Sequence, residues 1–294
     1  MGHEFPHVLN VIGPAAEPAA FLPLLRAHGE PQALGAEAFE IPFSGDAAEV
    51  LATARGIAPW LDVNAIPAAN RRKALLVADM DSTIIGCECL DELADMAGIK
   101  PQVAAITERA MRGEIEFESA LCERVALLKG LPLDALERTY NERVRLNPGA
   151  ATLVATMRAN GAHTLLVSGG FTFFSGRVMR AAGFHAHRAN MLAHDGEMLT
   201  GFVDEPILGR AAKLAALEES VAALRIAADD ALAVGDGAND LAMIERAGLG
   251  VAFHAKPVVA AAARASIAHG DLTALLYLQG YKQSEFTDVS SNPA

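Results

Sequence analysis

Two aspartates one residue apart, Asp79 and Asp81, close the apolar run Ala74 to Ala78. A bounded run of this length reads as a buried strand of a parallel sheet. Open α/β sheets place their ligands just beyond the carboxyl ends of such strands. Two carboxylates this close repel unless a cation or a shared proton separates them. The pair therefore points to a divalent metal or to an acid/base couple. A turn or a helix cap, which Asp and Ser82 also favour, is the reading without chemistry. Two further strand-like runs end in polar clusters: Thr164 to Val167 before Ser168-Gly169-Gly170, and Ala231 to Val234 before Gly235-Asp236-Gly237-Ala238-Asn239-Asp240. Lys213 lies on the helical stretch ahead of the last of these. In a parallel sheet these strand ends share one edge, so all four clusters can converge on one crevice. Asp79, Asp81 and Asp236 are hard oxygen ligands suited to Mg²⁺, which binds through one or two carboxylates, waters and a substrate phosphate. Ser168 and the Gly169 amide can donate to phosphate oxygens, and Lys213 supplies a cation at the transferring group. Singly, each element is weak. A Ser-Gly-Gly is ordinarily a loop, a lone Lys is ordinarily solvated, and the Gly-Asp-Gly run lacks the later Glu of a calcium loop. Their joint occurrence in this order carries the weight.

The elements that must position these groups follow from the periodicity. Residues 71–85 and 146–283 alternate strand and helix patterns, which predicts right-handed crossovers and a doubly wound parallel α/β sheet. Residues 86–145 read as helices throughout: Cys89 to Met96, Val103 to Arg112, Phe117 to Lys129 and Leu133 to Tyr140. Helices inserted between two strands form a separate cap, tethered by two crossings and able to open and close over the site. His194-Asp195-Gly196 predicts a hairpin, and Val258 to Ala268 a short packed helix. Residues 1–70 read as a small accessory α+β unit, β-α-β-α-β, with helices over Ala19 to His28 and Ala47 to Ile57, the second capped by Asp46 or Ser44. This unit has two Arg and no Lys against eight acids, a formal charge of −6. It holds no catalytic spacing of His, Cys or Ser, and a regulatory, oligomerising or stabilising part is expected of it. Ala68 to Arg72 reads as a linker, and Ser284 to Ala294 as a frayed end.

At 294 residues, 52% hydrophobic and 20% charged, the chain is globular with a sizeable core and room for about two domains. Its formal net charge of −12 and pI near 5.2, with no basic tract, make nucleic acid and anionic membranes poor partners. Three cysteines, Cys87, Cys89 and Cys122, form no C-x-x-C pair and suit a reducing cytoplasm. The start lacks the pattern of a signal peptide, and no apolar stretch is long enough to span a bilayer.

Asp79-Met80-Asp81-Ser82-Thr83, Ser168-Gly169-Gly170, Lys213 and Gly235 to Asp240 resemble the four motifs of the haloacid dehalogenase superfamily of phosphatases. The resemblance covers about Lys73 to Gly280 and implies that superfamily's fold for the core. Glu88, Met111-Arg112-Gly113 with Phe117, Arg124 and the run Val251 to Pro257 match substrate-recognising positions of the members that hydrolyse O-phosphoserine. The resemblance implies that Asp79 is the nucleophile and Asp81 the general acid/base. It also implies that Mg²⁺ is held by the Asp79 carboxylate, the Asp81 carbonyl and Asp236. The phosphoryl group would be held by Ser168, Gly169, Lys213 and Asn239, with Asp240 standing behind them. Arg124 would fork onto the substrate carboxylate, Glu88 would pair with its ammonium, and Phe117 and Met111 would exclude water. Without the resemblance, Arg124 reads as a surface partner of Glu123 or Glu116, and Phe117 and Met111 as helix core. The N-terminal unit only vaguely resembles the regulatory domains of amino-acid enzymes. An amino-acid effector there, and a homo-oligomer, are left open. Rival readings are another phosphomonoesterase, a phosphotransferase passing phosphate to a second alcohol, and an amino-acid-binding regulator with an inactive core.

Overall fold

The computed structural model describes residues 5–112 and 114–289; residues 1–4, Gly113, the side chain of Met111 and residues 290–294 lie outside the described residues. In the N-terminal unit, β1 (His7–Ile12) lies between β4 (Ala38–Ser44) and β5 (Asp62–Pro67), antiparallel to both. The short β2 (Ala27–His28) and β3 (Gln32–Gly35) pair with β4. Helix α1 (Ala47–Ile57) is capped by Asp46, whose Oδ1 accepts from the amides of Ala48 at 2.8 Å and Glu49 at 3.1 Å.

The helix expected over Ala19 to His28 does not form. Two single 3₁₀ turns, Pro18–Ala20 and Leu22–Leu24, take its place, followed by β2. Pro23 lacks the N–H an α-helix would need there, and its ring excludes a preceding helical turn. The β-α-β-α-β expectation is corrected accordingly.

The second sheet is six-stranded and wholly parallel: β6 (Leu75–Asp79), β7 (His163–Phe171), β8 (Ala186–Asn190), β11 (Ala231–Gly235), β12 (Leu249–Phe253) and β13 (Ala265–Ile267). A hairpin, β9 (Leu192–His194) and β10 (Leu199–Val203), follows β8. The order across the parallel sheet is β13-β12-β11-β6-β7-β8. Its central strands are apolar on both faces because both faces are covered. Leu76, Ala78, Leu166 and Val234 pack with α6 (Ala150–Ala159) and α7 (Thr172–Ala182). Leu75, Val77, Leu165 and Ala233 pack with α8 (Arg210–Leu224) and α9 (Leu241–Arg246). Each such buried Leu or Val is worth roughly 1.5–3 kcal/mol, so the centre of the sheet is the rigid part of the molecule. The stretch read as one helix over Val258 to Ala268 divides into α10 (Pro257–Ala262) and the edge strand β13. The β-branched Ile267 at the end of an alternating buried pattern fits a strand, not a helix face. α11 (Ala274–Leu278) follows it.

Between β6 and α6 lie α2 (Cys89–Met96), α3 (Lys100–Met111), α4 (Phe117–Ala126) and α5 (Asp134–Arg143). Their two crossings to the core meet in a neck. Ile85 bridges Leu146, and Asn147 Nδ2 donates to the Thr83 carbonyl at 2.7 Å. The insertion is also fastened at its far side, which the two-crossing expectation did not include. Gly130 N donates to Leu199 O at 2.8 Å, and Leu199 N to Leu131 O at 2.9 Å, joining the α4–α5 turn to β10.

The N-terminal unit is bound to the edge of the parallel sheet. Asn64 accepts from Ser266 N at 2.8 Å and donates to Ser266 O at 3.1 Å, standing in for the strand that β13 lacks on that side. Asp62 accepts from the amides of Ala268 and Gly270, each at 2.7 Å. The segment read as a linker is pinned too. Arg71 pairs with Glu40 at 2.6 Å and donates to Leu278 O at 3.1 Å. The end read as frayed is held as far as it is described: Arg72 pairs with Glu285 at 2.7 Å, and Thr287 N donates to Thr156 Oγ1 at 2.8 Å.

Candidate active site

The carboxyl ends of β6, β7 and β11 open on one cavity of about 300 Å³, roofed by α4 of the insertion. Asp79 is the last residue of β6, and its Oδ1 accepts from Met80 N at 2.8 Å, which starts the tight turn Met80–Ile84. Asp81 lies in that turn and is tied on both oxygens. Cys89 N donates to Oδ1 at 2.9 Å and Ser168 Oγ to Oδ2 at 2.8 Å. Ser168 Oγ also accepts from Gly170 N at 2.8 Å. Its hydroxyl is thus committed to Asp81, and it is Gly169 and Gly170, not Ser168, that border the cavity.

Lys213 projects from α8 to the end of β6. Its Nζ is 2.7 Å from Asp79 Oδ1 and 2.7 Å from Asp240 Oδ1, with all three side chains buried. Burial alone would lower the Lys213 pKa, but the carboxylates of Asp79 and Asp240 outweigh it and hold the ammonium above its ordinary range. Burial, then the charge of Asp240, pushes the Asp79 carboxyl well up, against the pull of Lys213. Burial and Asp240 likewise raise Asp236. Carboxylate oxygens of Asp79, Asp236 and Asp240 lie within 4.8 Å of one another. One lysine cannot neutralise so many acids at this spacing, and an all-oxygen set short of positive charge fits a hard divalent cation. Asp240 is the acid that the sequence reading set behind the site. Both its oxygens are engaged, Oδ1 by Lys213 and Oδ2 by Gly237 N at 3.1 Å. It packs so closely on the end of β11 that a Cβ on Gly235 would lie 2.3 Å from its Cγ.

The insertion supplies the roof. Phe117, the first residue of α4, stands over Gly169, its Cζ 3.1 Å from where a Cβ on that glycine would be. Arg124, two turns on, lines the cavity and donates from Nε to Ala120 O at 3.2 Å. Its guanidinium pKa is lowered by burial, partly offset by Asp91 and Glu88. It pairs with neither Glu123 nor Glu116; Glu123 instead pairs with Arg109 at 2.9 Å. Glu88, just before α2, is pushed up to about 7 by burial and then by the nearby Asp81, although the Ser82 hydroxyl bonded to it pulls the other way. Asn239 borders the cavity with its side-chain Oδ1 folded toward Gly237. Of the sequence-derived residues, the Met111 side chain and Gly113 lie outside the described residues. Two contributors were seen only as parts of runs. Lys256, inside the run Val251 to Pro257, lines the cavity mouth, and Ser82, between Asp81 and Thr83, holds Glu88.

A parallel sheet whose first strand ends in Asp-x-Asp, with a lysine and further aspartates converging on it, is matched by the family model of haloacid dehalogenase-like hydrolases over residues 76–245. The chain belongs to that family. Among its relatives, the phosphoserine phosphatase of Albidiferax ferrireducens is 51% identical over 209 residues, covering 69% of this chain and 88% of that one. A crystal structure of a haloacid dehalogenase family hydrolase from Salmonella enterica serovar Typhi superposes with a TM-score of 0.85 at 29% identity, over 92% of this chain and 97% of that one. A substrate-bound phosphoserine phosphatase complex superposes with a TM-score of 0.65 at 36% identity, over 70% of this chain and 97% of that one.

Proposed function

We propose that the chain hydrolyses O-phospho-L-serine to L-serine and phosphate through an aspartyl-phosphate. The observation that carries the reading is the pairing of Asp79 with buried Lys213 below a roof that holds Arg124 and Glu88. The floor suits a phosphoryl group, and the roof offers one cation and one anion to an amino acid. In this reading residues 71–85 and 146–283 are the catalytic core, 86–145 the cap and 1–70 an accessory unit.

Asp79 attacks phosphorus in line, forming an O–P bond as the bond to the serine oxygen breaks. Asp81 gives its proton to that departing oxygen, and then takes one from the water that attacks phosphorus and releases Asp79. The Cys89 amide and the Ser168 hydroxyl hold both oxygens of the Asp81 carboxyl, which is not part of the Asp79–Asp236–Asp240 cluster. Lys213, the Gly169 amide and Asn239 hold phosphoryl oxygens, with Ser168 acting through Asp81 until substrate draws its hydroxyl over. Arg124 takes the carboxylate and Glu88 the ammonium. Phe117 and Met111 keep water out. Mg²⁺ would be held by the Asp79 carboxylate, the Asp81 carbonyl and Asp236, and when bound it neutralises charge on the phosphoryl oxygens. The unpaired thiols of Cys87, Cys89 and Cys122 support a cytoplasmic setting. An amino-acid effector on residues 1–70, and a homo-oligomer, complete the reading; the fixed seating of Asp62 and Asn64 on β13 supports transmission from that unit.

The test is phosphate release from O-phosphoserine, O-phosphothreonine and O-phosphotyrosine, with and without Mg²⁺, for the wild type and Asp79→Asn. Magnesium-dependent release from phosphoserine, lost by about a thousandfold or more in the variant, is expected. Wild-type-like release from Asp79→Asn would end the nucleophile assignment.

A further inference from the structure

Ser82 has a φ of +55°, in the left-handed region that L-residues other than Gly, Asn and Asp seldom occupy. Glycine would take this conformation freely. A serine stands there instead, and its hydroxyl donates to Oε1 of Glu88 at 2.7 Å. The Ser82 amide donates to Cys87 O at 3.2 Å, closing the loop that carries Glu88 into α2. Glu88 occupies the cap position of α2 but its side chain makes no capping bond there. Among the described residues no other hydrogen bond or ion pair holds its carboxyl, although it borders the cavity. A strained backbone kept for one side-chain contact points to a task for that contact.

We infer that Ser82 is a positioning residue for substrate choice. Its hydroxyl occupies one oxygen of Glu88 and fixes the carboxylate, leaving the other oxygen for the ammonium of the substrate. The inference rests on Glu88 being the ammonium partner. Ser82 does not touch the substrate. It acts on how strongly an amino-bearing phosphate ester is favoured over one without the amine.

The experiment uses the full chain with saturating Mg²⁺ and the variants Ser82→Gly, Ser82→Ala, Ser82→Asn and Glu88→Gln. It reads KM and kcat for O-phospho-L-serine and the inhibition constant of 3-phosphooxypropanoate, which keeps phosphate and carboxylate but has no ammonium. Ser82→Gly removes the hydroxyl while relieving the backbone, so its thermal midpoint should not fall. Its KM should rise about tenfold, the effect of one hydrogen bond to a charged group, with kcat within about threefold and the inhibition constant unchanged. Ser82→Asn tolerates the backbone and offers an amide donor, so it should regain part of the loss. Wild-type KM in Ser82→Gly, or equal losses on both compounds, overturns the inference. If Glu88→Gln loses the preference for the amine while Ser82→Gly keeps it, the Ser82 inference alone falls. If Glu88→Gln keeps the preference, the ammonium role of Glu88 falls, and the inference with it.

Discussion

Lys213 Nζ lies 2.7 Å from Oδ1 of Asp240, and both side chains are buried. The same ammonium is 2.7 Å from Asp79, so one buried cation joins the ends of two strands. Removing one member of a buried ion cluster leaves charge uncompensated in a low-dielectric site. Lys213→Met should therefore lose turnover and about 3 kcal/mol of stability in the absence of metal. Urea unfolding and phosphate release together check this. A fully active variant, or one as stable as the wild type, would contradict the cluster's role.

Gly235 is required by the same cluster. A methyl there would meet Asp240 Cγ at 2.3 Å. Gly235→Ala should push Asp240 off Lys213 and cost about 1–3 kcal/mol through overpacking. Activity should fall further than stability alone explains, read as lowered kcat in protein still folded at the assay temperature.

Arg124 is half-buried in the roof with one backbone hydrogen bond and, among the described residues, no carboxylate within ion-pair range. A desolvated guanidinium without an anion is poised for one. Arg124→Ala should lose kcat/KM for phosphoserine by about a hundredfold, the scale of a buried charge pair broken on one side. An ester without a carboxylate, such as phosphoethanolamine, should lose far less. Equal losses on both would refute the carboxylate role.

Glu88 sets a pH limb. Burial and Asp81 raise its carboxyl from the usual 4.5 to about 7. The folded state thus holds this proton more tightly than the unfolded chain. Glu88 opens on the cavity and is partly screened by solvent, so the stability it contributes is small; it is whole below the unfolded value and is lost as pH rises through about 7. Pairing with an ammonium needs the ionised form, so KM for phosphoserine should fall as pH rises through that range. Glu88→Gln should show neither the limb nor the stability loss. Titrating KM and the thermal midpoint together distinguishes the two effects.

The rims of β6 and β11 were legible because strand, turn and acid are contiguous: Ala74 to Ala78 must be buried, so Asp79 must sit at its rim. At β7 the strand read as ending at Val167 runs on to Phe171, so Ser168-Gly169-Gly170 lies within it and not in a following loop. Lys213 was legible only through its order relative to β11, since a lysine on a helix carries no sign of burial. The use of Asp240 was not legible, because the contact that seats it depends on how tightly α9 turns away from Gly235. Arg124 was ambiguous for a similar reason. Its local partners, Glu123 and Glu116, are as near in sequence as the cavity is in space, and only the tilt of α4 decides between them. In the N-terminal unit helical spacing over Ala19 to His28 was misleading because Pro23 overrides it. The binding of Asn64 to Ser266 joins residues too far apart in sequence for any local pattern to show.

Reduction of a quenched reaction with borohydride tests the central claim most directly. An aspartyl-phosphate is converted to homoserine by this reagent, whereas a free carboxylate is untouched. Peptide mass spectrometry of enzyme quenched during turnover of O-phosphoserine with Mg²⁺ should find homoserine at position 79 and nowhere else. Turnover with residue 79 unmodified, or with the label at Asp81, Asp236 or Asp240, would contradict the account.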